Sequence, residues 1–339
     1  MSALVPLTRA AYRAQQAALR LSLIAAHLGL KSFAPTPKVQ PTHRELMMLR
    51  KRFTDLLQRD VQNVEEGAYA RELLFQMPVR EYLSGLPSLA AEVARMVRRA
   101  RAGRVRELPE GVDLAAFPDY FRRNFHWQTD GYLSRRSANL YDLSVEFLFL
   151  GAADVMRRQI IPPLTRFFAE NPGRKRVLDV GTGTGRGLYQ LSLAHPGHKY
   201  FGVDLSPYYL DRARELLAGR EVSLLVDNAE DLPLKDESFD ALTSIFLFHE
   251  LPLSARRSVL AEMRRVARPG ALLVLEDAAQ LADSPELEVF LENFGRDMNE
   301  PFFHGYLRED LEAELDRAGF DVQSVEPCFL AKVVVASAR

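Results

Sequence analysis

Four glycines fall at every second position in VLDVGTGTGRG, as Gly181, Gly183, Gly185 and Gly187, directly behind the apolar run that opens at Val177. Backbone without side chains at that density lets a ligand come close to the main chain. The spacing excludes two familiar phosphate binders. A dinucleotide fingerprint needs its third glycine where Arg186 stands, and the chain has no G-x-x-x-x-G-K-[ST] loop. Asp179, two residues before Gly181, repels a phosphate and attracts a cation. Further acids close the next apolar runs. KYFGVD ends at Asp204, 25 residues beyond Asp179, where a carboxylate can accept hydrogen bonds from two ribose hydroxyls, with Leu205 flanking the base. VDNAEDLP then places Asn228 and Ala229 where a side-chain carbonyl and a backbone amide can read an adenine edge.

A cationic adenosine derivative without phosphate satisfies all of these demands. S-adenosylmethionine, with a sulfonium, an ammonium and one carboxylate, is such a molecule. Transfer of its methyl group requires mainly that an acceptor be held in line with the sulfonium methyl, because orientation alone is worth effective molarities of about 10⁵ M or more. His249 in FLFHELP could take a proton from an oxygen or nitrogen acceptor, and it could equally be a structural histidine bonded to backbone. Two aromatic segments, Phe117–Ser134 and Glu300–Asp310, are candidate lids; within them His126, Trp127, Tyr132, Phe303 and Tyr306 are candidate substrate contacts. Packing of aromatics between domains is the competing reading of each.

The elements that must position these groups are legible in outline. From Arg176 onward, the runs RVLDVG, KYFGVD, EVSLLVD, FDALTSIF and ALLVLED alternate with helical segments such as Pro207–Ala218 and Ser254–Arg268. This is the pattern of βαβ units in a parallel sheet covered on both faces, with ligands at the carboxyl ends of the strands. The preceding half reads as mostly α. A Pro-punctuated linker, Gly29–Thr42, leads into a capping box of Thr42 and Glu45. Helical spacing follows over Leu89–Arg101 and over Ser134–Phe168, interrupted at Pro162 and Pro163. The expected division is an α-helical cap over residues 1–165 and a cofactor-binding α/β domain over 166–339.

Charge follows the same division. Residues 1–110 hold 18 Lys and Arg against 10 Asp and Glu, the remainder 26 against 35. No acid precedes Glu45, so residues 1–30 form a basic amphipathic segment that suits a transit peptide, an anionic membrane surface, or docking on its own protein. Docking is the expected outcome, with peripheral membrane contact through residues 1–30 as the alternative. No apolar run is long enough to span a bilayer. A lone Cys328 allows neither an internal disulfide nor a multi-cysteine zinc site. No metal is expected, and the cytoplasm is the expected compartment.

Taken in order, DVGTGTG, FGVDLS, DNAEDLPLKDESFDAL, FLFHELP and MRRVARPGALLVLED resemble the class I S-adenosylmethionine-dependent methyltransferases of the small-molecule branch. The resemblance covers about half the chain, from near Arg176 to the end. It implies a Rossmann-like, doubly wound, mostly parallel seven-stranded sheet, with FDVQSVEP and FLAKVVVAS pairing antiparallel at its edge. It also implies S-adenosylmethionine as cofactor, held by Asp179, Gly181, Thr182, Gly183, Gly185, Asp204, Leu205, Asn228, Ala229 and Phe246. Asn228 departs from the Asp of many relatives, though its amide oxygen can meet the same adenine amino group. The expected activity is methyl transfer to a small apolar or aromatic metabolite. Two alternatives are an RNA methyltransferase that grips phosphates with the basic N-terminal half, and a regulatory protein that binds the cofactor without turnover. Against RNA, no nucleic-acid module is evident and the arginines are spread over helix faces.

Overall fold

The computed structural model describes residues 4–30 and 40–339; Met1–Ala3 and residues 31–39 of the linker lie outside it. The chain enters through six helices, α1 (Leu4–Leu30), α2 (His43–Glu65), α3 (Val79–Arg101), α4 (Arg135–Leu148), α5 (Ala153–Arg157) and α6 (Ile161–Glu170). The capping box forms as expected: Thr42 Oγ1 accepts from the Glu45 amide, and the Thr42 amide donates to Glu45 Oε2 at 2.6 Å. The helical stretch expected over Ser134–Phe168 is interrupted, but before the prolines at which the interruption was expected. The break falls at Leu150 and Gly151, both left-handed at φ +53° and +87°, while Pro162 sits in the first turn of α6, where its missing N–H costs nothing. Tertiary packing decides this. A Cβ on Gly151 would lie 2.6 Å from Leu19 Cδ2, so the chain turns where α1 lies against it.

Strands β1 (Arg176–Val180), β2 (Lys199–Asp204), β3 (Val222–Val226), β4 (Phe239–Ile245), β5 (Ala267–Ala278), β6 (Phe320–Cys328) and β7 (Ala331–Ala338) form one sheet in the order 3-2-1-4-5-7-6. β1 to β5 are mutually parallel, and β7 runs antiparallel to both β5 and β6. Helices α7 (Arg186–Ala194), α8 (Pro207–Leu216), α9 (Leu253–Val266), α10 (Glu288–Asp297), α11 (Phe303–Arg308) and α12 (Leu311–Ala318) complete the fold. The strand order reverses between β1 and β4, which opens a crevice at their carboxyl ends.

One core, containing Leu178, Leu242 and Leu275 from the sheet, packs against α9, α11 and α12. The other unites Val177, Leu188 and Val274 with Tyr12, Phe53, Leu56 and Leu164 of the N-terminal helices. The division expected at residue 165 therefore does not coincide with a break in the core: α2, α5 and α6 share the core of the sheet, and α1 packs on α2. Of the N-terminal half, α3, α4 and the segment between them rise over the crevice as a cap. Helix α1 buries Tyr12, Gln16 and Leu23. Among the described residues no helix is long and apolar enough to cross a membrane.

Candidate active site

At the end of β1 the chain turns into α7 through Gly181, Gly183 and Gly185, at φ +76°, +55° and +80°. Side chains rarely adopt such backbone, and this explains the alternating glycines. The Gly181 and Thr182 amides donate to the Val203 carbonyl at 2.9 and 3.0 Å, which ties the loop to β2. Behind it Asp179 is buried, and its Oδ1 accepts from Thr243 Oγ1 at 2.7 Å. Burial pushes its carboxyl up to about 6. Asp204 Oδ2 accepts from the Gly183 amide at 2.7 Å and Oδ1 from the Ser206 amide at 2.8 Å; burial raises this carboxyl too.

These groups line one continuous cleft. Its wider part is bordered by Gly181, Gly183, Asp204, Leu205, Asn228, Ala229 and Phe246, with Tyr120, Tyr132 and Glu250 opposite. Its polar end is bordered by Asp179, Thr182, Arg157 and Arg186. The Asn228 side chain caps its own turn, Oδ1 accepting from the Glu230 amide at 3.0 Å. Gly185 lies outside the cleft: a Cβ there would sit 3.0 Å from Ala213 Cβ of α8, so the residue serves close helix packing. Arg157 carried no sequence signal. It is buried, its Nη1 donates to Asp154 Oδ1 at 3.1 Å and its Nη2 stands 3.6 Å from Asp142 Oδ1.

A second cavity of about 290 Å³ lies between α3 and α4. Leu89, Val93 and Met96 face Leu140, Val145 and Leu148 across it, and His126, Trp127 and Met298 close one end. Tyr141 borders both this chamber and the cofactor cleft. His126 and Trp127 hold left-handed backbone at φ +53° and +58°, a strained conformation that persists at sites where the surroundings dictate it. Tyr132 stands on the cleft side, stacked on Phe125. Phe303 and Tyr306 are a correction to the sequence reading. Both are core residues, 1% and 0% exposed, and the Tyr306 hydroxyl donates to the Ala278 carbonyl at 2.8 Å; neither borders the chamber or the cleft.

Between chamber and cleft runs a buried chain of acids and imidazoles. His249 Nδ1 meets Asp277 Oδ1 at 2.6 Å, and its Nε2 stands 3.7 Å from Glu300 Oε2. Glu300 Oε1 meets His126 Nε2 at 2.6 Å, and the same nitrogen lies 3.5 Å from Glu250 Oε1, which also accepts from the Tyr132 hydroxyl. Burial pulls His249 down, but the charges of Asp277 and Glu300 outweigh it and carry the imidazole to about 9. These acids favour its protonated form, and it borders neither cavity. Of these partners, Asp277 ends a strand and so had a signal, whereas Glu300 lies in a segment read only for its aromatics.

A family model described as a methyltransferase domain matches residues 177–270. An O-methyltransferase of Aspergillus nomiae, rstn1, is 34% identical over 153 residues, covering 44% of this chain and 65% of the relative. The demethylmenaquinone methyltransferase of Thermotoga maritima is 37% identical over 142 residues, or 42% and 58% of the two chains. The malonyl-(acyl-carrier protein) O-methyltransferase of Geobacter sulfurreducens is 34% identical over 193 residues, or 52% and 68%. The chain thus spans 58–68% of the length of these relatives.

Proposed function

Since the chain belongs to the class I S-adenosylmethionine-dependent methyltransferases, and its cofactor is S-adenosylmethionine, we propose that it methylates a small apolar or aromatic molecule held between α3 and α4. The observation that carries this reading is the apolar chamber of about 290 Å³ meeting the cofactor cleft at Tyr141. That volume is at the low end for small-molecule sites.

The cleft suits the cofactor on chemical grounds. Asp179 is a carboxylate whose proton affinity burial raises, and an ammonium beside it would hold it ionised. Arg157, at the same polar end, suits the carboxylate of the amino-acid moiety. Asp204 suits the ribose hydroxyls, and Leu205 and Phe246 are placed to flank the rest of the nucleoside. When bound, the cofactor supplies an electrophilic methyl on a positively charged sulfur. The protein's part is to hold the acceptor at the chamber mouth and exclude water, which Trp127 assists by donating Nε1–H to the Asp297 carbonyl at 2.8 Å. In this reading His249 orients Glu300 and does not itself meet the acceptor.

The basic half gives little support to an RNA substrate. Arg9, Arg52, Arg95, Arg104 and Arg106 are paired with Glu65, Glu286, Glu92, Glu107 and Asp119, which draws these five charges away from phosphates.

Two variants test the two halves of the proposal. Leu140→Trp, which fills the chamber, lowers labelled methyl transfer to apolar phenols and quinols by on the order of 100-fold while S-adenosylmethionine affinity in calorimetry stays within about twofold. Unchanged transfer would place the acceptor elsewhere. Asp204→Ala weakens cofactor binding by about 1–3 kcal/mol through loss of charged hydrogen bonds, and an unaltered Kd would remove Asp204 from the site. Methylation of RNA that falls steeply with salt would replace the small-molecule reading altogether.

A further inference from the structure

The acid–imidazole chain is larger than cofactor binding needs. Its one member on the cofactor cleft, Glu250, touches that cleft on one side and lies 3.5 Å from chamber-lining His126 on the other. It therefore stands at the junction where a methyl donor and an acceptor would meet. We propose that Glu250 is the catalytic proton acceptor for a hydroxyl acceptor of the phenol or enol class, with His126 and Glu300 as positioning residues. This rests on the function proposed above.

The step balances as follows. The acceptor O–H bond breaks and its proton goes to a Glu250 carboxylate oxygen. The oxygen lone pair forms the new O–CH₃ bond, and the electron pair of the broken S–CH₃ bond stays on sulfur, which becomes a neutral thioether. The charge distribution favours this pathway. An ionised Glu250 at −1 faces the sulfonium's +1. After transfer the sulfur is neutral and Glu250 holds the proton, so this pair is neutral before and after and the net charge of the low-dielectric site does not change. No uncompensated charge has to be created in the interior, where it would be costly.

Glu250 is also tuned for the role. Burial raises its carboxyl to about 7, with the positive charges of His126 and His249 opposing that rise. The groups that face it from the surrounding elements are His126, His249, Glu300, Tyr132, Tyr141 and Tyr209. Burial raises all three tyrosines, so they stay neutral beside the Glu250 carboxyl. Glu300 Oε2, on a side chain 0% exposed, has no hydrogen-bond partner and points towards His249 Nε2 at 3.7 Å, a pair held slightly open.

The test is proton release on binding, measured by calorimetry in buffers of different ionisation enthalpy. S-adenosylmethionine and S-adenosylhomocysteine share the ammonium that meets Asp179 and differ in the sulfonium, so their difference isolates the charge beside Glu250. At pH 7 the wild type releases roughly half a proton more with S-adenosylmethionine, because a nearby cation drives the proton off a carboxyl poised at about 7. Glu250→Gln abolishes that difference, and methyl transfer to a panel of phenols and naphthols falls by about 10²-fold or more. His126→Gln provides the second arm. Losing this cation raises Glu250 further, so the difference persists to higher pH than in the wild type. Equal proton release with both compounds, a difference that survives Glu250→Gln, an unmoved profile in His126→Gln, or methylation of no phenol in the panel would each overturn the assignment. Failure to bind either compound would overturn the cofactor reading with it, whereas binding of both with equal release sinks Glu250 alone.

Discussion

Asp60→Ala is expected to destabilise the protein by about 3–5 kcal/mol, the cost of leaving a buried cation without its partner. Asp60 is 0% exposed in α2 and receives four hydrogen bonds on its carboxylate. Arg158 Nε donates to Oδ1 at 2.9 Å and its Nη2 to Oδ2 at 2.6 Å, a bidentate fork, while the Tyr69 hydroxyl donates to Oδ1 and that of Tyr12 to Oδ2. One carboxylate thus joins α1, α2, the turn after α2 and the segment leading into α6. Removing it strands Arg158, which is 3% exposed, among apolar neighbours and takes the partner from two buried hydroxyls. Urea unfolding should show the loss, and limited proteolysis should cleave α1 first, because Tyr12 is its deepest anchor. A change under about 1 kcal/mol would mean that water reaches the pair. Asp60→Asn keeps the shape and one acceptor, and should lose less.

Raising the pH from 6.5 to above 9 is expected to remove on the order of 3 kcal/mol of stability from the cofactor-free protein, through His249. The sign follows from the direction of the shift. Burial alone would lower this imidazole, but Asp277 and Glu300 carry it from the ordinary 6.5 to about 9. The folded state therefore holds a proton that the unfolded chain releases at lower pH. The stabilisation is complete below pH 6.5 and is lost as pH rises through 9, with each pH unit of that interval worth about 1.4 kcal/mol. His126, which burial pulls down and the charge of Glu300 carries above the ordinary 6.5, adds to the loss with the same sign, so comparison with a His249 variant isolates the share of His249. Glu146 and Glu250, raised by burial to about 7, and Asp179, raised to about 6, have mostly titrated before pH 8, and His195, lowered by burial to about 4, titrates earlier still. Unfolding free energies at pH 6.5 and 9.5 for the wild type and for His249→Gln measure the effect. The variant should show a much flatter dependence, and an identical slope in both proteins would assign the loss to other groups.

How much of this was readable in advance depends on the range of the signal. The glycines at 181, 183 and 185, the acids at 179 and 204 and the alternating apolar runs are local patterns, each fixed by backbone geometry within a few residues, and they emerge in the structure where the sequence puts them. The same holds for the Thr42–Glu45 box. Gly185 meets the backbone requirement that the spacing implies and lies close against α8, because a close helix contact and a close ligand contact demand the same side-chain-free residue.

What tertiary structure alone decided is the company each residue keeps. Phe303 and Tyr306 are as aromatic as Trp127, yet the packing of α11 against the sheet turns them into the core while Trp127 borders the chamber. His126 and Glu300 are 174 residues apart and meet at 2.6 Å, a contact for which neither residue carries a local mark. The sequence by itself determined the fold's repeating units and a crevice for a cationic adenosine compound, because strand period, turn chemistry and strand-end charge are short-range. The chamber and the chain of acids and imidazoles between the two cavities arose only when α3 and α4 closed over the sheet, because burial and pairing depend on distances through space that spacing along the chain does not encode.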